Sequence, residues 1–363
     1  MNYKDTLLFI GKCLTITHEK NNRDLVEKKI KSGLVDWEDI VKVSTTHYVF
    51  PALYCNLKRA DLLHYLPVDL VEYMKHITDL NRERNQKIIA EAKEINELLL
   101  SNNITPIFLK GTGNLLEGLY EDIAERMVGD IDFIISKKDY QNTINILKKI
   151  NYKPITEIKF HFPASKHYPR IYKKDKIAAI EIHREMLRKE KAKFFNYKTI
   201  NDSLLTTNNI AVLSIKNQIK LTVFSKLIND NTLLLKNINL RGAYDVFLLG
   251  NKLKVKTKVS DNYLSKELNA GLDLYSTLLS KPKNLKYTSD IKSQQYVSDC
   301  LQNLSLNQYN KVKKIALKRY LKTSKRLQIL SKALFNKSYF NFVVSKITDI
   351  NWLKIKLGFK PKP

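Results

Sequence analysis

Two aspartates in an apolar stretch are the first candidates for chemistry. Asp130 and Asp132 are separated by one residue in VGDIDFII. On a strand, alternation places both carboxylates on one face, about 6.6 Å apart, with Ile131 and Phe133 on the other. Two unpaired carboxylates this close repel each other, and a divalent cation such as Mg²⁺ removes the conflict. The alternative interpretation is an exposed strand end with two solvated acids.

A third acid follows in AAIEIHREM. Glu181 lies in an apolar run, and His183 shares its face by the same alternation. A neighbouring strand can bring Glu181 beside the aspartates, and three carboxylates can hold two metal ions. One ion draws the proton off an attacking hydroxyl, and the other holds a triphosphate. His183 has two interpretations: it contacts substrate, or it is a satisfied histidine at the sheet edge, which we favour.

The segment IFLKGTG places Lys110, Gly111 and Thr112 between a short apolar run and a predicted helix. A dinucleotide-binding loop requires a third glycine where the chain has Leu116. A P-loop requires Lys-Ser/Thr where it has Leu119-Tyr120, so the sequence excludes both loops. Backbone N–H groups at a helix start, a hydroxyl and an ammonium group nevertheless suit anionic oxygen. Strand–glycine–helix turns are also common structural joints.

Two arginines have open roles. Arg126 precedes Asp130 by four residues, where a positive charge would stabilise charge that develops during phosphoryl transfer. Its alternative is an ion pair with Asp130 or Glu125. Arg241 and Asp245 are one helical turn apart, and we predict a structural ion pair between them.

These residues must be positioned by a core of mixed structure. Residues 1–100 predict helices, most clearly Asn81–Leu100, with Pro51 and Pro67 as breaks. Residues 104–186 predict an α+β unit with a small mixed sheet. Its strands are ITPIFL, Asp130–Ile135, Tyr152–Ile158, His167–Tyr172 and Ile177–His183, and its helices are Asn114–Tyr120 and Lys138–Ile150. From Ser214 onward the pattern again predicts helices, including Arg241–Leu249.

Length suggests about two domains for the 363 residues. We divide the chain into an N-terminal helical region (1–100), a catalytic core (101–200) and a helical, strongly basic C-terminal region (201–363). Residues 306–363 carry fifteen Lys or Arg and one acid, Asp349. Val312, Ile315, Ala316 and Tyr320 recur at helical spacing among the lysines, which predicts an amphipathic basic helix. A packed helix with a solvated lysine face is an equal alternative.

Composition points to polyanionic partners. The net charge is +27, which favours nucleic acid, nucleotide phosphates or an anionic membrane surface. No apolar run is long enough for a transmembrane helix, and the N-terminus does not resemble a signal peptide. The three cysteines are far apart and have neither metal-site nor disulfide spacing. We therefore expect a cytoplasmic protein.

Together these motifs resemble the nucleotidyltransferase fold of the DNA polymerase β superfamily. The chain is most similar to a largely uncharacterised bacterial nucleotidyltransferase family. That family typically has Leu-Lys-Gly, then a helix that ends near a Tyr, then an Arg, and then Asp-Ile-Asp. The matching segments are Leu109–Gly111, Tyr120, Arg126 and Asp130–Asp132, with HYVFPALYCNL and RNQKIIAEAKEINELL upstream. The resemblance covers roughly residues 40–250.

The chain departs from the superfamily in three places. It has Gly111-Thr112 where Gly-Gly or Gly-Ser is usual, and Glu181 where the third acid is often Asp. The helical segment TVFSKLI lacks the histidine that the family often has before its Arg…Asp helix.

The resemblance implies transfer of an NMP from an NTP to an acceptor hydroxyl, with release of pyrophosphate. In that reading Asp130, Asp132 and Glu181 hold Mg²⁺ (or Mn²⁺). Nucleotide binding falls to Gly111 and Thr112, at the β/γ phosphates, and to the side chains Lys110, Arg126 and His183. The basic tail favours RNA, including a tRNA 3′ end, as acceptor. Alternatives are protein or small-molecule nucleotidylation, a catalytically inactive nucleotide- or nucleic-acid-binding protein of the same fold, and a peripheral membrane or assembly protein.

Overall fold

The computed structural model describes residues 1–155, 162–304, 308–350 and 353. Its first hundred residues are helical, as predicted. Side chains of Asn2 and Asp36 accept hydrogen bonds from the exposed N–H groups of the helices they precede. The predicted helix Asn81–Leu100 is the second half of a longer one. The five helices are α1 (Tyr3–Cys13), α2 (Lys20–Lys31), α3 (Trp37–Thr46), α4 (Phe50–Arg59) and α5 (Val68–Leu100).

A seven-stranded mixed sheet follows, in the order β3-β4-β5-β2-β1-β7-β6. The pairs β2/β5 and β1/β7 are parallel, and the other neighbours are antiparallel. The strands are β1 (Ile107–Phe108), β2 (Asp130–Ile134), β3 (Lys153–Pro154), β4 (Ile171–Tyr172), β5 (Ala179–His183), β6 (Leu204–Thr207) and β7 (Ile210–Leu213). The α+β class is confirmed, and the sheet is larger than the five predicted strands. Residues 156–158 of the predicted third strand lie outside the described residues.

Three helices connect these strands: α6 (Lys110–Leu116), α7 (Tyr140–Lys149) and α8 (Tyr197–Ile200). The predicted start of α6 at Asn114 is wrong by four residues. The glycines that suggested a turn lie inside the helix, because they let it approach the sheet. A Cβ on Gly113 would lie 2.7 Å from the backbone oxygen of Phe108 in β1. The helix ends before Gly118, whose φ of +69° suits glycine.

The C-terminal part begins with α9 (Ile215–Phe224), which continues into a π-helical turn, Ser225–Asn229. The helices α10 (Thr232–Leu235), α11 (Leu240–Asn251), α12 (Ser265–Leu278) and α13 (Ile291–Gln302) follow, with a small parallel pair of β8 (Thr257–Lys258) and β9 (Leu285–Lys286). Buried apolar side chains form one cluster from Leu7 to Cys300 that joins all three parts.

A helical hairpin ends the described chain. It consists of α14 (Gln308–Ala333) and α15 (Lys337–Ile347), and residues 308–350 are called the arm below. The rings of Tyr339 and Phe342 lie 6.0 and 5.3 Å from the ring of Phe162, next to the sheet. In the described part of the chain, no helix is long and apolar enough to cross a membrane.

Candidate active site

The three acids singled out in the sequence lie on two adjacent parallel strands. In the register of β2 and β5, Asp132 is the partner of Glu181, and Asp130 is the partner of Ala179. Asp132 and Glu181 are buried, and Asp130 is partly buried. The structure therefore brings all three carboxylates together on one face of the sheet.

Two cations neutralise these acids. The Lys110 ammonium contacts the Oδ1 of Asp132 and lies 3.7 Å from the Oε2 of Glu181. Arg170 bridges Asp130 and Glu181. Its Nη2 lies 2.9 Å from the Oδ2 of Asp130, and its Nε donates to the Oε1 of Glu181 at 2.8 Å. The guanidinium is half exposed, so it can leave the acids without unfolding the strand.

His183 lies inside the acid cluster. Its side chain is buried, and its Nε2 is 2.8 Å from the Oδ1 of Asp132 and 3.3 Å from the Oε2 of Glu181. The histidine is satisfied, as in the interpretation that we favoured, but its expected position at the sheet edge is wrong, because β5 lies between β4 and β2. In this arrangement the ring orients two acids.

The electrostatic environment divides the carboxylates into two kinds. Burial raises the pKa of Asp130, although Arg170 opposes the shift. Burial also disfavours ionisation of Asp132 and Glu181, but Lys110 and His183 outweigh it and hold the pKa of both acids below the usual range. The cluster therefore stabilises the charged forms of Asp132 and Glu181, whereas burial disfavours the charged form of Asp130.

The donor set fits a divalent cation. One atom each from Asp132, Glu181 and His183 lies within 4.8 Å of the others, and the Asp130 carboxylate is on the same face. Carboxylate oxygens with substrate phosphates match Mg²⁺ or Mn²⁺. Bringing a cation here requires Lys110 and Arg170 to share or release the carboxylate oxygens that they contact.

The Lys-Gly-Thr segment packs closely on β2. Lys110 has a φ of 53°, a left-handed conformation that is costly for a non-glycine residue and that recurs at functional sites. The buried Thr112 hydroxyl donates to the backbone oxygen of Asp130 at 2.9 Å. Because its hydrogen is used there, the expected role of this hydroxyl as a phosphate donor conflicts with the geometry; Thr112 instead holds α6 against β2.

Arg126 is buried, and its partner is neither Asp130 nor Glu125. Its Nε donates to the Asp245 carboxylate at 3.1 Å, and the Tyr120 hydroxyl donates to the same carboxylate at 2.8 Å. A Cβ on Gly111 would lie 3.5 Å from the guanidinium.

The predicted pair between Arg241 and Asp245 is absent among the described residues. Arg241 instead donates to the backbone oxygen of Met127 at 3.1 Å and lies over the ring of Tyr48. The helix α11 places the arginine and the acid correctly, but tertiary contacts decide their partners.

These residues line a cleft of about 380 Å³ between the sheet and the helical wall of α9, the π-helical turn and α11. Its cations are Lys110, Arg126, Lys166, Arg170, Arg188, Lys226 and Arg241, and its acids are Asp130, Asp132, Glu181, Asp230 and Asp245. In total, seven cations face five acids, so the cleft is suited to an anionic ligand.

Sequence reasoning missed Lys166, Arg170 and Arg188. Arg170 carried a detectable signal, because Ile171 pairs with Ile180 in the predicted hairpin and this register sets Arg170 opposite Glu181. Lys166 and Arg188 lie outside regular strands, where no periodicity indicates which way a side chain points.

Comparison with known proteins gives one match. The profile of a family described as "uncharacterised nucleotidyltransferase" matches residues 33–271, a range that contains every acid of the cleft. No curated protein and no solved structure matches the chain.

Proposed function

The chain belongs to the uncharacterised nucleotidyltransferase family, and we propose that it transfers an NMP from an NTP to an acceptor hydroxyl and releases pyrophosphate. Membership of the family indicates a nucleotidyltransferase in general and implies an NTP substrate. The observation that carries the finer proposal is the register of β2 and β5, which sets Asp132 beside Glu181 with Asp130 on the same face. A relationship to the DNA polymerase β superfamily stays a prediction.

In this proposal Asp130, Asp132 and Glu181 hold Mg²⁺ or Mn²⁺. When bound, the metal supplies the chemistry of lowering the pKa of the acceptor hydroxyl and neutralising the triphosphate. His183 fixes the orientation of Asp132 and Glu181 through its Nε2. His183 is therefore a positioning residue. Supporting contacts of this kind typically contribute about 10–100-fold to activity or metal affinity.

The phosphates lie among the cations of the cleft. Lys110 and Arg170, which neutralise the acids when no nucleotide is bound, turn to phosphate oxygens. Gly111, where a Cβ would lie 2.9 Å from the Val128 side chain, lets the start of α6 approach Arg126, whose side chain is held in place by Asp245. Lys166 and Arg188 add positive charge to the lining of the cleft. Thr112 contributes by fixing the position of β2.

We propose RNA, including a tRNA 3′ end, as the first acceptor class to test. The net charge of +27 and the cationic cleft support a polyanion. RNA binding should weaken steeply with salt, because each neutralised phosphate releases counterions. Protein side chains and small-molecule hydroxyls are the other acceptor classes.

The test is pyrophosphate release by the full chain with each NTP, Mg²⁺ and a panel of RNA, protein and sugar acceptors. We expect Asp132→Asn to release pyrophosphate more slowly than the wild type, by more than the roughly 10–100-fold that is typical when a residue supporting a metal ligand is removed. Asp24→Asn, an exposed acid on α2, is the matched control. Mg²⁺ should also raise the melting temperature of the wild type and not of Asp132→Asn.

A second candidate function is nucleotide binding without turnover. It is favoured by the contacts of Lys110 and Arg170, which neutralise the three acids without a metal. This function predicts NTP binding that is independent of Mg²⁺ and no pyrophosphate with any acceptor. Equal activity of the wild type and Asp132→Asn would rule out the metal-dependent transfer.

A further inference from the structure

The arm contributes nothing to the hydrophobic core. Within the described part of the chain, the last residue of the buried apolar cluster is Cys300. Helix α15 has no buried residue, and the two arm helices pack chiefly on each other. Its apolar side chains are therefore not explained by folding of the core.

Many of those side chains are exposed. Among the described residues, 26 large apolar side chains are exposed, and eleven of them lie between residues 312 and 350. Phe335 is 89% exposed and Leu334 is 78% exposed. Exposed apolar side chains concentrated in one segment indicate an interaction surface.

The exposed apolar residues recur at helical spacing. On α14 they are Val312, Ile315, Tyr320, Leu327 and Leu330, and Leu334 continues the series just after the helix ends. On α15 they are Phe340, Val344 and Ile347. At about 100° per residue, these spacings place each series on one side of its helix.

Basic residues surround these faces. Residues 308–350 contain eleven Lys or Arg and one acid, Asp349. Lys318, Lys322 and Arg326 are exposed on α14. Amphipathic helices with Lys and Arg beside exposed Leu, Phe and Val are typical of segments that lie in the plane of a membrane surface.

We propose that the arm docks on an anionic lipid bilayer, with its apolar side chains at the boundary of headgroups and acyl chains and its cations on lipid phosphates. RNA explains the charge, but aliphatic residues such as Val312, Leu327 and Ile347 offer nothing to a phosphate backbone. A second copy of the chain would bury the apolar face, but two arms of the same high positive charge repel each other. The inference does not depend on nucleotidyl transfer.

The test is co-sedimentation of the full chain with phosphatidylcholine vesicles, with and without phosphatidylglycerol, over a salt series. We expect binding only to the anionic vesicles, and weaker binding at high salt because the charges are screened. Lys318→Gln/Lys322→Gln/Arg326→Gln should weaken binding by on the order of a hundredfold, since each surface cation contributes about 1 kcal/mol. Its matched control is Lys28→Gln/Lys58→Gln/Lys93→Gln, three exposed lysines of the N-terminal helices.

A second variant separates lipid from RNA. Leu327→Gln/Leu330→Gln/Leu334→Gln keeps the charge and should weaken vesicle binding at least tenfold, whereas Leu34→Gln/Val68→Gln/Val255→Gln, at exposed apolar positions elsewhere, should not. Circular dichroism checks that every variant is folded. Vesicle binding that the leucine variant leaves intact would overturn the proposal. So would tRNA binding through the arm cations without vesicle binding, or a dimer that the leucine variant dissociates.

Discussion

Lys166 differs from the other cations beside the carboxylates. Lys110 and Arg170 are ion-paired, but among the described residues no carboxylate lies within ion-pair distance of Lys166. Burial, reinforced by the charge of Lys110, lowers the pKa of Lys166 from 10.5 to about 8. Its backbone is fixed, because its carbonyl oxygen accepts hydrogen bonds from Arg184 and Glu185. It is therefore a cation whose charge changes close to neutral pH.

The affinity for an NTP should change with the protonation of Lys166. A triphosphate binds the protonated lysine better, so affinity is highest below the pKa of about 8 and falls as the pH rises through it. We expect a loss of at least about tenfold, since a hydrogen bond to a charged group contributes roughly 1.5–3 kcal/mol. Calorimetric titration of an NTP across this range measures it.

Lys166→Gln should bind more weakly at low pH and show a flat profile. Lys174→Gln, an exposed lysine in the turn between β4 and β5, should keep the wild-type slope. A fall in affinity that persists in Lys166→Gln would assign the titration to another group.

At this scale the sequence predicts acids better than their partners. Alternation along two apolar strands correctly predicts that Asp130, Asp132 and Glu181 share a face. It cannot predict that Arg126 reaches Asp245, because their separation of 119 residues is bridged by packing rather than by periodicity. The catalytic roles of these residues stay predictions.

Between elements, one buried ion pair joins the sheet to the helical wall. Arg126, in the segment before β2, and Asp245, on α11, are both buried and both line the cleft. Asp245→Ala leaves a buried arginine without its acid and removes the acceptor of the Tyr120 hydroxyl. We expect it to lower the free energy of unfolding by on the order of 3–5 kcal/mol, measured by urea denaturation.

A partly exposed ion pair provides the comparison. Asp299 lies 3.0 Å from the ammonium of Lys236 at the surface, so Asp299→Ala should cost less than about 1 kcal/mol. Arg126→Met/Asp245→Leu should recover much of the loss, because no charge is left buried. If Asp245→Ala and Asp299→Ala lowered the free energy of unfolding equally, the Arg126 charge would have to be stabilised by water or by another acid in Asp245→Ala.

The contact between α6 and β1 gives another prediction. Alanine favours a helix over glycine by about 1 kcal/mol, but a Cβ at position 113 meets the Phe108 carbonyl, whose position the sheet fixes. Gly113→Ala should therefore destabilise by roughly 1–3 kcal/mol in the same assay. Gly129→Ala, with nothing within 4 Å of its Cβ, is the control, and a stabilised Gly113→Ala would show that α6 moves freely.

Elements with many local contacts are the ones that the sequence predicts well. The strands β1 and β4 have two residues each, too few for a pattern to set their ends. The hairpin of β6 and β7 was missed although it carries a signal. Asn208 and Asn209 both have positive φ in a two-residue loop, which asparagine tolerates. Its first strand, Leu204–Thr207, is mostly exposed and has no alternation of apolar and polar residues, so apolar periodicity does not reveal it.

Over the whole molecule, positive charge is uneven. The arm carries a net charge of ten within 43 residues, out of +27 for the chain. None of its residues lines the cleft, whose last lining residue is Asp245. The cleft, where we propose nucleotidyl transfer, and the arm, where we propose docking, are thus separate parts of the chain, with the ring contacts to Phe162 as one link between them.

Deletion of residues 308–363 tests this division. The lost ring contacts of Tyr339 and Phe342 with Phe162 contribute about 0.5–1.5 kcal/mol each, and removal of fourteen net positive charges (fifteen Lys or Arg and one acid) relieves self-repulsion. We therefore expect calorimetry to show a melting temperature within a few degrees of the wild type, since about 1 kcal/mol corresponds to roughly 2–4 °C in larger domains. NTP affinity should be unchanged, because the cleft keeps all its residues, while vesicle binding should be lost. A truncated chain that melts much earlier or loses NTP affinity would show that the arm supports the cleft, and the two functions would then not be separable.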